Sequence, residues 1–198
     1  MGRVSQAQAQ ENRQRVVAVA SRMFREKGTA VSVADVMKAA GLTHGGFYKQ
    51  FASKEDLVDE AAAYAFDKPA AYSAVAIEEH AGEPGAARRT LIERYLSVWH
   101  RDHAGEGCPV SGFAADLGRE PDQAARAHQA YLNGVRNLAA QLATGDDDGL
   151  AQLCTMVGAL VLARAARGNP LSEDLLQAAR TALTERGTEQ SDPRQRTD

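Results

Sequence analysis

Aromatic residues make up only 6% of this 198-residue chain, and alanine is abundant throughout. Sheets draw on aromatic and β-branched side chains, so this composition points to closely packed helices. Cysteine is scarce too, with Cys108 and Cys154 alone. They form no Cys-x-x-Cys pair, and no His/Cys cluster has zinc-like spacing, so no metal site and no cofactor are expected. No stretch of 18 apolar residues is free of charge or strong polarity, which argues against a membrane span. The first fifteen residues, MGRVSQAQAQENRQR, lack the apolar core of a secretory signal. A cytoplasmic protein with reduced thiols is the expectation.

Catalytic signatures are missing as well. His44, His80, His100, His103 and His128 supply raw material, but no Ser-His-acid order has supporting motif context. The HRDH at residues 100–103 lacks the Gly-rich loop and the downstream elements of a kinase. The EEH at residues 78–80 lacks the second histidine of a zinc helix. An enzyme is not expected.

What is present is an uneven charge distribution on a chain that is 44% hydrophobic. Residues 1–54 hold 9 Lys or Arg against 3 Asp or Glu, while residues 55–198 hold 14 against 23. A small basic head on an acidic body suggests a local polyanion-binding surface.

The head reads as short helices. The first spans about Gln8 to Lys27, with Val16, Val17, Ala20, Met23 and Phe24 on one stripe and Gly28 as terminator. Arg3, Arg13, Arg15 and Arg22 lie mostly off that stripe, where cations can approach phosphates. The second helix follows Ser32 as cap, with Asp35 three residues on, and Gly41 ends it in a left-handed conformation. Leu42 anchors the corner and Thr43 caps a third helix, His44 to Phe51. Two amphipathic helices joined by a glycine corner are the pattern of a DNA-reading helix-turn-helix.

In that third helix Phe47 and Phe51 are four apart and point inward. Thr43 and His44 at its start are placed to touch base edges, and Tyr48 and Lys49 to meet phosphates. Gly45 and Gly46 are poor helix formers whose bareness lets the backbone approach a groove or a phosphate. A fourth helix starts at Ser53. Lys54 in its first turn opposes the local helix field, which makes sense if a phosphate lies in front of it.

These residues resemble the TetR family of transcriptional repressors. The resemblance rests on Met23-Phe24-Arg25-Glu26-Lys27-Gly28, on Val33 through Thr43 (VADVMKAAGLT) and on Gly45 through Leu57 (GGFYKQFASKEDL). It implies an all-α fold: a three-helix helix-turn-helix head joined to a larger helical body for ligand binding and dimerisation. It implies phosphate contacts from Tyr48 and Lys54, a recognition helix opening at Thr43, His44 and Gly45, and a supporting core of Phe24, Phe47 and Phe51. The expected division is a DNA-binding domain over 1–54, continuing into a linking helix at 53–68, then a ligand-binding and dimerisation domain over 69–190. Gly107-Cys108-Pro109 resembles one branch of the same family.

The body reads as successive helices broken at residues 81–86, 103–109, 144–149 and 168–170, with Pro69 marking an earlier break. Leu91, Ile92, Tyr95, Leu96 and Trp99 form one stripe, and a helix from Pro121 to Leu142 follows a short one over 110–118. Two helices close the chain, about Leu150 to Arg167 and Ser172 to Arg186, the latter capped by Ser172. The resemblance implies that these two form a homodimer interface. Leu153, Val157, Leu160 and Val161 are the expected contacts on the first helix, and Leu175, Leu176, Ala179 and Leu183 on the second. A ligand pocket is expected around Tyr72, Tyr95, Trp99, His103, Cys108, Phe113 and Met156, which suits an apolar or aromatic effector. The function expected is repression by a dimer on a palindromic site in double-stranded DNA, relieved by that small molecule, with the fourth helix as lever. A helical protein-interaction module is the alternative.

Overall fold

The computed structural model describes residues 6–67, 78–119, 125–145 and 147–189, and every regular element among them is helical. In chain order these are α1 (Gln6–Lys27), α2 (Val33–Ala39), a 3-10 helix (His44–Lys49), α3 (Lys54–Asp67) and α4 (Pro84–Tyr95). Then come α5 (Val98–Asp102), α6 (Pro109–Arg119), α7 (Ala125–Leu142), α8 (Leu150–Ala165) and α9 (Leu171–Glu189). Pro69, Tyr72, Pro121 and Arg3 lie outside the described residues.

The chain forms two compact units. One takes residues 1–68 with 104–135, and the other residues 69–103 with 136–198. The first unit is larger than the 1–54 head read from the sequence, because α6 and α7 supply part of its core. Phe113, Leu117 and Ala127 are buried in one cluster with Phe24, Met37, Phe47 and Leu57. Polar contacts fasten the same segment. The Thr29 amide donates to Asp116 Oδ2 at 2.9 Å, and Arg25 Nη1 donates to the Gly107 carbonyl at 2.7 Å. Gly112 lies so close to α1 that a Cβ there would stand 3.3 Å from Arg25 Cα. A side chain there would force Arg25 or its helix to shift.

The helix-turn-helix is built largely as its sequence suggests. Ser32 Oγ accepts from the Asp35 amide at 3.1 Å and donates to Asp35 Oδ2 at 2.6 Å, a reciprocal cap. Gly41 has φ +73° and no neighbour near its Cβ position, so the left-handed backbone alone demands glycine. Two details differ from expectation. The third helix is 3-10 rather than α and stops at Lys49, consistent with two glycines in six residues. Thr43 occupies its N-cap position, but its side chain makes no capping bond.

In the second unit α8 and α9 pack along each other over a buried seam of Leu153, Met156, Leu160, Leu176 and Leu183. Ser172 is not the cap of α9. It is 1% exposed inside the helix, where Oγ donates to the Ala163 carbonyl at 2.7 Å and accepts from Arg101 Nη1 at 2.9 Å. Asn169 Oδ1 takes the Leu171 amide instead, at 3.0 Å. Trp99 also leaves its expected stripe. The chain breaks at Leu96 and restarts with Ser97 as cap, which rotates Trp99 outward to 50% exposure.

Candidate nucleic-acid interface

The 3-10 helix has one buried side and one open side. Phe47 is fully buried, and Phe51 just beyond it is buried too, their rings stacked at 5.3 Å and 23°. On the open side Thr43, His44, Gly45, Tyr48 and Lys49 are all exposed, Tyr48 by 70%. Tyr48 keeps a defined orientation despite that exposure, edge-on to Phe47 at 5.1 Å and to His44 at 6.3 Å. Its hydroxyl is therefore presented on a ring held at both sides, suited to donating to a phosphate oxygen.

A Cβ at Gly45 would meet nothing within 4 Å, and at Gly46 only ordinary contacts with Met37 and Thr43. Neither residue has positive φ. The packing of this protein thus gives no reason for glycine at 45, which is exposed as Tyr48 and Lys49 are.

Lys54 opens α3 and is half-buried, beside Ser53 whose Oγ accepts the Asp56 amide at 3.1 Å. Glu55 follows. Its carboxyl is held below the usual range by hydrogen bonds from its own backbone amide and from Ser53, with the Lys54 charge adding a little. Elsewhere in the first unit Arg15, Arg22, Lys27 and Lys38 are exposed.

Two head arginines serve inside the unit instead. Arg25 is bound to Gly107. Arg13 pairs through both terminal nitrogens with Glu60, and that carboxylate raises its pKa further above the ordinary guanidinium value. Composition gave no signal of this pairing, since Glu60 lies 47 residues away.

The expected pocket residues are not one group. In the second unit Tyr95 and Met156 are fully buried, and Trp99 stacks on His103 at 4.5 Å on the surface. Cys108 and Phe113 belong to the first unit, Phe113 as part of its core. Of the expected interface residues, Leu153, Leu160, Leu176, Ala179 and Leu183 are buried within the chain, whereas Val161 is 45% exposed and Val157 and Leu175 are half-buried. The outward face of α8 and α9 carries Leu150, Val161, Leu162 and Leu171 instead.

Residues 16–61 match the model for bacterial regulatory proteins of the tetR family. This stretch, under half of the chain, is similar to the tetR family. Over 61 residues, 30% of this chain, it is 41% identical to the HTH-type transcriptional regulator AcrR of Shigella flexneri. That match spans 28% of the relative's length, so it concerns the head alone. Solved structures extend the likeness across the chain at the level of fold. A TetR-family regulator from Agrobacterium tumefaciens superposes with TM-score 0.71 at 20% identity, covering 90% of this chain and 98% of that one. Another from Chloroflexus aurantiacus gives 0.70 at 22%, covering 92% and 97%. The chain thus has a helix-turn-helix head and a helical body, and no described helix is long and apolar enough to cross a membrane.

Proposed function

We propose that this protein represses transcription by binding a palindromic operator as a homodimer, and that a small apolar or aromatic ligand in its body releases it. The observation that carries the reading is the two-sided 3-10 helix, with Phe47 and Phe51 buried and His44, Gly45, Tyr48 and Lys49 offered to solvent. In this reading Thr43 and His44 meet base edges and Gly45 lets the backbone close on the groove. Tyr48, Lys49 and Lys54 bind phosphates, which fix register without reading sequence.

One short helix reads few bases. A second copy, about one helical turn or ~34–36 Å away, supplies the other half-site. The outward apolar residues Leu150, Val161, Leu162 and Leu171 support a dimer through α8 and α9. The ligand acts by preferring a state with the reading heads displaced, and a coupling of about 1–3 kcal/mol changes operator affinity roughly 5–150-fold. The stacked, exposed Trp99–His103 pair supports an aromatic effector.

The test is binding to the DNA upstream of this gene, titrated in salt against a scrambled duplex, with random-site selection if both bind equally. Saturable, selective binding that weakens with salt is the expected result. Failure to select any sequence defeats the operator reading and favours a protein-interaction module.

A further inference from the structure

Arg13 lies on the basic N-terminal helix, where its charge alone suggests a phosphate contact. Its surroundings give it other work. Both terminal nitrogens donate to the Glu60 carboxylate of α3. Nε donates to the Gln50 carbonyl at 3.3 Å, and the guanidinium lies 4.7 Å from the centroid of the Phe51 ring. The side chain is thus engaged along its fork and on its flat face, the geometry in which arginine differs most from lysine.

Gln50 is the C-cap of the 3-10 helix. Carbonyls at a helix end lack partners within the helix, and a cation there is favourable. This helix needs such support. It has six residues, two of them glycine, and 3-10 bonding is weak. Its orientation comes from the buried Phe47 and from what holds its ends. Beyond Arg13 the contacts continue ring to ring: Phe51 stacks on Phe47, Phe47 meets the edge of Tyr48, and Tyr48 meets the edge of His44. An unbroken series of ring contacts runs from a guanidinium fixed on α1 and α3 to the two exposed rings of the reading surface.

We propose that Arg13 is a positioning residue for operator recognition, a latch that fixes the end of the 3-10 helix and so the presentation of Tyr48 and His44. This rests on the operator-binding reading above. Glu60 completes the latch from the middle of α3, so one ion pair ties the end of the 3-10 helix to that helix.

The experiment compares wild type, Arg13→Met, Arg13→Lys and Glu60→Gln on the selected operator and on an unrelated duplex, across a salt series, with thermal melts alongside. A positioning role costs Arg13→Met roughly tenfold on the operator, as losing charge-assisted hydrogen bonds does elsewhere. Its affinity for the unrelated duplex falls much less, and its salt slope stays at the wild-type value because the Tyr48 hydroxyl brings no charge to the phosphate. Glu60→Gln moves operator affinity the same way by less, and Arg13→Lys fails to restore it because an ammonium lacks the planar fork.

A phosphate role gives the opposite pattern: both duplexes weaken together, the salt slope falls by about one, and lysine rescues. That outcome overturns the proposal, as does unchanged operator affinity. If Arg13→Met does not melt cooperatively, Arg13→Lys and Glu60→Gln decide by the same criteria. Wild type that does not distinguish the two duplexes is a failure of the operator reading, recognisable before any variant is made.

Discussion

The Thr29 backbone amide and the Asp116 carboxylate, 87 residues apart, are joined by a 2.9 Å hydrogen bond. Gly28, immediately before, has φ +80°, and the site of its missing Cβ faces Asp116 Oδ2 at 3.4 Å. The carboxylate therefore ties down the chain where α1 ends. Asp116→Ala leaves that part-buried amide without its acceptor, which costs about 1–3 kcal/mol. Urea unfolding of the variant should show a lower midpoint with an unchanged slope.

The two glycines at 41 and 45 should answer alanine in opposite ways. Gly41 sits in left-handed backbone, so Gly41→Ala loses roughly 1 kcal/mol or more of stability. Gly45 has neither positive φ nor neighbours, so Gly45→Ala holds or gains up to about 1 kcal/mol, because alanine is the better helix former. Operator affinity of Gly45→Ala should nevertheless fall. Thermal melts and operator titrations on the same two variants separate the effects, and full affinity in Gly45→Ala removes that residue from the interface.

His100 is fully buried and makes the protein sensitive to mild acid. Burial pushes its imidazole down to about 4, outweighing the hydrogen bond to the Tyr95 carbonyl, and Arg164 adds to the depression. The unfolded chain takes up this proton near 6.5, the folded chain only near 4. Between those values the unfolded state binds more protons, so stability falls as pH drops through the window and levels off below it. The full loss is about 3 kcal/mol. Asp102, held below its ordinary value first by the Arg101 hydrogen bond, forfeits its contribution only below about 3.8, outside that window. Denaturant melts from pH 7 to 4.5 should slope downward in wild type and lose most of that slope in His100→Gln.

Two leucines of α8, Leu160 and Leu162, should separate folding from assembly if the proposed dimer forms through this face. Leu160 is fully buried, and Leu160→Ala should cost about 2–5 kcal/mol of stability. Leu162 is 56% exposed, and Leu162→Glu should leave the protomer's fold intact while shifting it to monomer and abolishing operator binding. Sedimentation equilibrium reads the assembly state directly. A Leu162→Glu protein that sediments as a dimer moves the interface off this face.

The helix-turn-helix was legible in the sequence because its signals are local. Ser32 and Asp35 cap, Gly41 turns, and the four-residue spacing of Phe47 and Phe51 tells which side of the short helix is buried. Longer-range features were not legible. Periodicity shows that Phe113 and Leu117 share a buried face of α6, but not that this face completes the core around Phe24. Formal charge marks Arg13 as basic, but not that Glu60 awaits it. The α8–α9 stripe likewise merges two sets of leucines, those that pack within the chain and those left outside, which only the packing distinguishes. Trp99 escaped its stripe because two residues, Leu96 and Ser97, leave helical dihedrals.

Because Phe113, Leu117 and Ala127 complete the core around Phe24 and Phe47, the reading head is not a cassette. A chimera joined at residue 68, with the front of this chain spliced to the body of another, discards those three side chains and the Asp116 and Gly107 attachments with them. On the proposed operator reading, exchange of DNA specificity between such proteins should then be easier by replacing single residues on the 3-10 helix than by swapping segments. The part of the sequence free to change target is short, and the part that must change with a transplanted head is discontinuous.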